Sequence, residues 1–290
     1  MAENVFEIRG LDCAYRHNGK TVLAIESLDI PKGKITTILG KSGSGKSTLI
    51  ETLGMMNNTI KHGSVRFLSD GTTETIDRTI WENPDTLSLI RNKHFSFIFQ
   101  NDYLMPYYSP MENIVIGKLI QNASKNDNNQ DLLNREEKLE KAYSNLGIDK
   151  EMMKKQMPYE MSGGQRQRLS FIRAVTKDYS VILGDEPTGN LDDDTSEILM
   201  AVLKDSVREN HGRSAILVSH NILLSIAGSD RIIILSQGKE TAYEVQISNV
   251  FDKVATGWIN GDNKCYNDAE LESLIKAILK QDKYLANLKQ

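Results

Sequence analysis

Residues Gly40 to Thr48 read GKSGSGKST, entered from the apolar run Ile35–Leu39 and continued by a helix-forming stretch from Lys46 to Gly54. That order of strand, glycine loop and helix leaves few folds open to the chain. Gly40, Gly43 and Gly45 allow the backbone N–H groups of Lys41, Ser42 and Ser44 to curl around a phosphate, where added Cβ atoms would crowd. The helix that follows contributes the positive end of its dipole. Lys46 supplies a compact charge to the β- and γ-phosphates, the Ser47 hydroxyl is a ligand for Mg²⁺, and Thr48 carries the loop into the helix. The segment fits the pattern G-x-x-x-x-G-K-[ST] and predicts a nucleoside triphosphate site.

A second anion cradle lies at Ser162-Gly163-Gly164-Gln165, within MSGGQRQR, just before a basic amphipathic helix. A hydroxyl, bare backbone amides and a helix N-terminus point there at one place, although a plain glycine turn would read the same way in isolation. Asp185 and Glu186 close the apolar run VILG. Carboxylates at the mouth of a buried sheet are costly unless they meet a cation or a reacting group. Asp185 reads as a water-mediated Mg²⁺ ligand and Glu186 as the residue that orients and polarises an attacking water.

Around these motifs, short apolar runs at 5–8, 65–68, 95–99, 181–183, 215–218 and 232–235 alternate with helix-length stretches at 135–146, 165–176 and 194–209. The alternation predicts an α/β fold with a mostly parallel sheet and ligands at the strand ends. Residues 70–92, broken by Pro84, read as a surface excursion, and 121–131 as a solvated loop. After Gly238 weak strand character gives way to a final helix capped by Asn267 and Glu270, with an apolar stripe at Leu271, Leu274, Ile275, Ile278, Leu285 and Leu288. Such a stripe is explained most simply by docking on its own domain.

The 290 residues carry a net charge of −4 with no lysine or arginine block, so the composition excludes broad attraction to nucleic acid. Cys13 and Cys265 read as free thiols of a reducing compartment. The first residues lack a basic stretch ahead of an apolar core, and no run approaches the roughly 18 to 20 apolar residues that span a bilayer. The expectation is a cytoplasmic protein that reaches a membrane only through a partner.

Taken together the motifs resemble the nucleotide-binding domain of the ABC (ATP-binding cassette) ATPases, over roughly residues 5 to 240. The resemblance implies a P-loop core, an antiparallel β subdomain, a helical subdomain at about 101–175 within a domain of residues 1–240, and an extension at 241–290. It implies ATP and Mg²⁺ as cofactors and a head-to-tail homodimer. Each ATP then lies between one phosphate loop and the partner's Ser162–Gln165 signature, with Asp192 of the Asn190-Leu191-Asp192 loop crossing the interface. Gln100, after FSFIF, corresponds to the glutamine that touches Mg²⁺ and faces the membrane subunit, His220 in LVSH to the switch histidine at the γ-phosphate, and Tyr15 to the aromatic that stacks on adenine.

IFQNDYLMPYYSPMENI and DEPTGNLD are similar to the branch of the family that includes the MacB, LolD and FtsE ATPases, although Met161 stands at the usual signature leucine, Tyr179 at a common proline, and the tail is longer. The resemblance therefore implies an ATP-hydrolysing subunit on the cytoplasmic face of the inner membrane, coupled to an integral permease-type subunit on a separate chain. Tyr103, Leu104, Met105, Tyr107 and Tyr108 are the expected docking patch for that subunit, or else core of the helical subdomain. The rival reading is a soluble ABC ATPase acting on ribosomes or DNA.

Overall fold

The computed structural model describes residues 3–15, 19–69, 71–122, 146, 148, 156–209, 212–238 and 242–287. Buried β-branched runs build its centre. β3 (Ile35–Gly40), ITTILG, is buried along its whole length, as is β8 (Ser214–Val218). With β6 (Phe95–Ile98), β7 (Val181–Asp185) and β9 (Arg231–Gln237) they pair in parallel in the order β9-β3-β8-β7-β6. Strands covered on both faces read as continuous apolar runs, which is why the sequence marks them.

The register aligns their C-terminal ends. Ile38 lies beside Val218, Val218 beside Asp185, and Gly184 beside Ile98. One edge therefore gathers Gly40, Asp185, His220 and Gln100, each at or just beyond a strand end.

The other half of the twelve-stranded sheet is antiparallel: β5 (Thr72–Ile76), β4 (Ile60–Ser69), β1 (Asn4–Cys13) and β2 (Leu23–Pro31). β10 (Tyr243–Val254) joins β2 to β9, and β11 (Gly257–Asn260) and β12 (Cys265–Tyr266) extend from it. Phe6, Phe67 and Phe95 pack together across this half, with ring centroids 4.9–6.1 Å apart.

Helix α1 (Lys46–Leu53) follows the phosphate loop, α3 spans Pro110–Asn122, α4 Gly163–Thr176, α5 Asp193–Glu209 and α6 Ile222–Gly228. The expected surface excursion at 70–92 is corrected: it holds β5, a 3₁₀ turn (Arg78–Glu82) and α2 (Pro84–His94), with Ile76, Leu87 and Ile90 buried. Pro84 starts the helix rather than breaking the chain, because a proline in the first turn forfeits no hydrogen bond and Asn83 Oδ1 accepts from Thr86 N–H. The expected helix at 135–146, nearly all of the loop at 121–131, and the stripe positions Leu285 and Leu288 lie outside the residues or side chains described.

The last helix, α7 (Asp268–Asn287), forms with the anticipated cap: Asn267 Oδ1 accepts from Glu270 N–H and Glu270 Oε2 from Asn267 N–H, each at 2.9 Å. Leu271 and Ile275 are buried with Phe251, Trp258, Ile226 and Ile234, so the stripe docks on its own chain. Trp258 is fully buried and its indole donates to Asp268 Oδ1 at 2.8 Å.

Candidate nucleotide site

The loop from Gly40 to Lys46 has the backbone its glycines predict. Gly43 and Gly45 take φ of 77° and 85°, and a Cβ on Gly40 would lie 2.6 Å from Ser44 Oγ. Ser44 is fully buried and its hydroxyl, next to Gly40, has no hydrogen-bond partner among the described residues. Lys46 is nearly buried and donates to the carbonyls of Gly40 and Lys41 at 2.9 and 2.7 Å. Burial lowers its pKa, while Glu186 and Asp185 oppose that shift. A buried ammonium whose hydrogen bonds among the described residues go to neutral carbonyls, beside an unmet hydroxyl, is a site that an oxyanion completes.

Facing it, Glu186 follows β7 in the left-handed region, with φ of 51°. Its N–H donates to Val218 at 3.0 Å and its carbonyl accepts from Gly189 at 3.1 Å. His220 Nε2 lies 2.7 Å from Glu186 Oε1, so the structure brings together two residues separated by more than thirty positions in the chain. Strain of this kind is held by the surrounding contacts and clusters at working sites. Asp185, half-buried, and the exposed Ser47 and Gln100 offer carboxylate, hydroxyl and amide oxygens, a donor set suited to a hard cation such as Mg²⁺.

One residue without an assigned role in the sequence reading stands behind this arrangement. Gln167, on the signature helix α4, donates through Nε2 to the carbonyls of Pro187 (3.1 Å) and Glu186 (3.4 Å), and its Oε1 accepts from Asn190 Nδ2 at 3.0 Å. Its signal was a glutamine on the same helical face as Phe171 and Ala174, a polar group in an apolar register.

The signature turn is a capping box: Ser162 Oγ accepts from Gln165 N–H and Gln165 Oε1 from Ser162 N–H, with Ser162 and Gly163 exposed at the N-terminus of α4. Asp192 caps α5, accepting from Thr195 N–H at 2.8 Å and from its hydroxyl at 2.9 Å, contacts that hold its pKa below the usual carboxylate range. Tyr15 is exposed, and its hydroxyl lies 2.7 Å from that of Thr48, which tethers the ring over the start of α1. The segment after Gln100 is fixed from α4. Arg166 pairs with Asp102 at 2.8 Å, and Arg173 donates to the carbonyls of Asp102 and Tyr103. Tyr103, Tyr107 and Tyr108 remain exposed, so they are surface rather than core.

A buried lysine cupped in its own glycine loop, with a paired carboxylate and imidazole across from it, defines a P-loop nucleotide hydrolase. The chain belongs to the ABC transporter family, whose family model matches residues 23–189. It is 31% identical to the lipoprotein-releasing system ATP-binding protein LolD of Maricaulis maris, over 84% of this chain and 99% of that protein. It is also 32% identical to the macrolide export ATP-binding/permease protein MacB 2 of Aeromonas hydrophila, over 82% of this chain but 34% of that longer protein. Among solved structures it is similar to the ATP-binding cassette MJ0796 in a dimeric post-hydrolysis state bound to ADP and phosphate, with TM-score 0.66, 26% identity, and coverage of 83% of this chain and 96% of that one. The protein is an ATP-binding, ATP-hydrolysing subunit of this family. No helix among the described residues is long and apolar enough to cross a membrane.

Proposed function

We propose that the chain works as a head-to-tail homodimer on the cytoplasmic face of the inner membrane, where it drives a separate integral permease-type subunit. The reading takes residues 1–240 as the ATPase unit, with a helical subdomain at about 101–175, and 241–290 as an extension. The observation that carries the catalytic part is the 2.7 Å pair of His220 and Glu186, set at strand ends beside the phosphate loop. Glu186 takes the proton of the attacking water, and His220 holds that carboxylate in place and reads the γ-phosphate. Lys46 leaves its loop carbonyls for the β- and γ-phosphates, and Tyr15 stacks on adenine. Ser47, Asp185 and Gln100 would hold Mg²⁺, which when bound neutralises charge on the phosphates.

Ser162 and Gly163 are exposed and Gly164 and Gln165 half-buried at a helix N-terminus, where they can meet the γ-phosphate held by the other protomer, with Asp192 alongside. That contact exists with ATP and not with ADP, so differential affinity drives closure. The exposed tyrosines after Gln100, braced by Arg166 and Arg173, suit a docking face for the permease subunit. Similarity to the lipoprotein-releasing LolD and macrolide-export MacB proteins favours this over a ribosome- or DNA-directed ATPase. The test is a mild-detergent pull-down of the Glu186→Gln variant from native membranes with ATP. Stoichiometric recovery of a membrane-spanning protein is expected; recovery of ribosomes or nucleic acid alone overturns the membrane assignment.

A further inference from the structure

The twelve-stranded sheet is open along its middle. β2 pairs with β1 from Leu23 to Pro31, but with β10 only through Leu23 and Ala24. β10 follows β9 as far as Val245, loses register, and regains it at Val250. Beyond Ala24, the second edge of β2 has no strand partner among the described residues. Between that edge and β10 runs a solvent-open groove of about 1030 Å³.

Its lining divides by chemistry. Ile25 and Leu28 are buried and Val245, Val250 and Ile259 half-buried, so the floor is apolar. Among the described residues, Asp12, Glu26, Asp29, Glu244 and Asp252 supply five carboxylates to the lining, against Arg231 alone. Arg231 is already bidentate on Asp252, at 2.6 and 2.8 Å, and it donates to the Asp29 carbonyl at 2.6 Å, which closes one end. Asp29 also meets Arg9 at 2.6 Å, but Asp12 and Glu26 have no counter-ion among the described residues. Ile247, on the displaced part of β10, is 70% exposed on the rim.

An open strand edge offers backbone donors and acceptors to another chain. An added strand uses that edge for affinity and places alternate side chains on opposite sides for specificity. We propose that this groove takes an extended, lysine- or arginine-bearing segment of a partner protein, which adds alongside β2. Its apolar side chains lie on Val245, Val250 and Ile259, and its cations meet Asp12 and Glu26. The same surplus of carboxylates repels a phosphodiester backbone, so the occupant is a peptide. The site uses none of the groups assigned to ATP.

The test is fluorescence anisotropy with a labelled peptide of alternating lysine and valine, equal in length to β2, on the full chain. Three results are expected. Asp12→Lys with Glu26→Lys weakens binding at least tenfold while ATP turnover is unchanged. A glutamate–valine peptide binds at least tenfold more weakly than the lysine peptide. A lysine–valine peptide methylated on every second backbone nitrogen, on the face that meets β2, loses binding. Equal affinity for the methylated peptide reduces the effect to charge attraction and overturns strand addition. Binding untouched by the charge reversal places the peptide elsewhere and overturns the site. A nucleotide-free dimer abolished by Glu26→Lys alone makes a second copy the occupant, and likewise overturns it.

Discussion

Gln167 Nε2 lies 3.1 Å from the carbonyl oxygen of Pro187 and also reaches that of Glu186, so the signature helix holds the backbone that carries the proposed catalytic carboxylate. Ser162, five residues earlier on the same element, is the group proposed to sense the partner's ATP. One helix thus carries both the proposed sensing group and the brace on the Glu186 backbone. Glu186 sits in a left-handed conformation that its neighbours must maintain.

From that relationship, Gln167→Leu is expected to lower kcat about tenfold or more with KM for ATP little changed, since small displacements of reacting groups are costly. Steady-state kinetics of the purified protein check it. An unchanged kcat means that Gln167 only fills space.

In the proposed site Tyr15 serves ATP through its ring, and its hydroxyl lies 2.7 Å from that of Thr48. Tyr15→Phe is expected to keep nucleotide affinity within about threefold, because the hydroxyl it removes bonds Thr48 and not the nucleotide in the proposed site. Tyr15→Ala should lose about 1–3 kcal/mol, the usual stacking contribution of a base on an aromatic ring. Titration with a fluorescent ATP analogue separates them, and equal losses in both variants contradict stacking.

Trp258→Ala removes a fully buried indole and its bond to Asp268, the point where β11 meets α7. The expected loss is about 3–5 kcal/mol by urea unfolding. Limited proteolysis should then release the C-terminal helix before the rest of the domain.

Lys177 is half-buried and donates to the Phe95 carbonyl at 2.7 Å, and the desolvation lowers its pKa from 10.5 to about 8. Between those values the unfolded chain binds the proton and the folded chain does not, so this group makes stability rise with pH from about 8 to 10.5. Lys46 acts in the same direction, whereas burial raises the pKa of Cys13 and of Tyr179 and so acts oppositely. Comparison with Lys177→Met isolates the lysine: the variant is expected to gain stability at pH 7 and to lose that part of the rise. Urea midpoints at pH 7 and pH 10 decide it, and parallel profiles contradict it.

The parallel core was legible because its strands are buried on both faces, and a continuous apolar run such as AILV or VILG needs no partner to be read. The phosphate loop was legible because the left-handed φ of Gly43 and Gly45 strongly favours glycine. β2, LAIESLDIP, was not, since it is half-buried and its apolar positions resolve only once β1 and β10 lie beside it. Residues 70–92 were misread because Pro84 means a break inside a helix but a start at its first turn, and only the cap at Asn83 distinguishes the two. What the sequence by itself determined is the chemistry: a phosphate loop, an acidic pair at a strand end and a histidine after another, each set by local backbone geometry and residue type. What only the tertiary structure decided is their juxtaposition: His220 on Glu186, Gln167 behind it, α7 seated on Trp258, and a sheet left open beside β2. Those depend on contacts between residues far apart in the chain, and no local pattern encodes where distant segments meet.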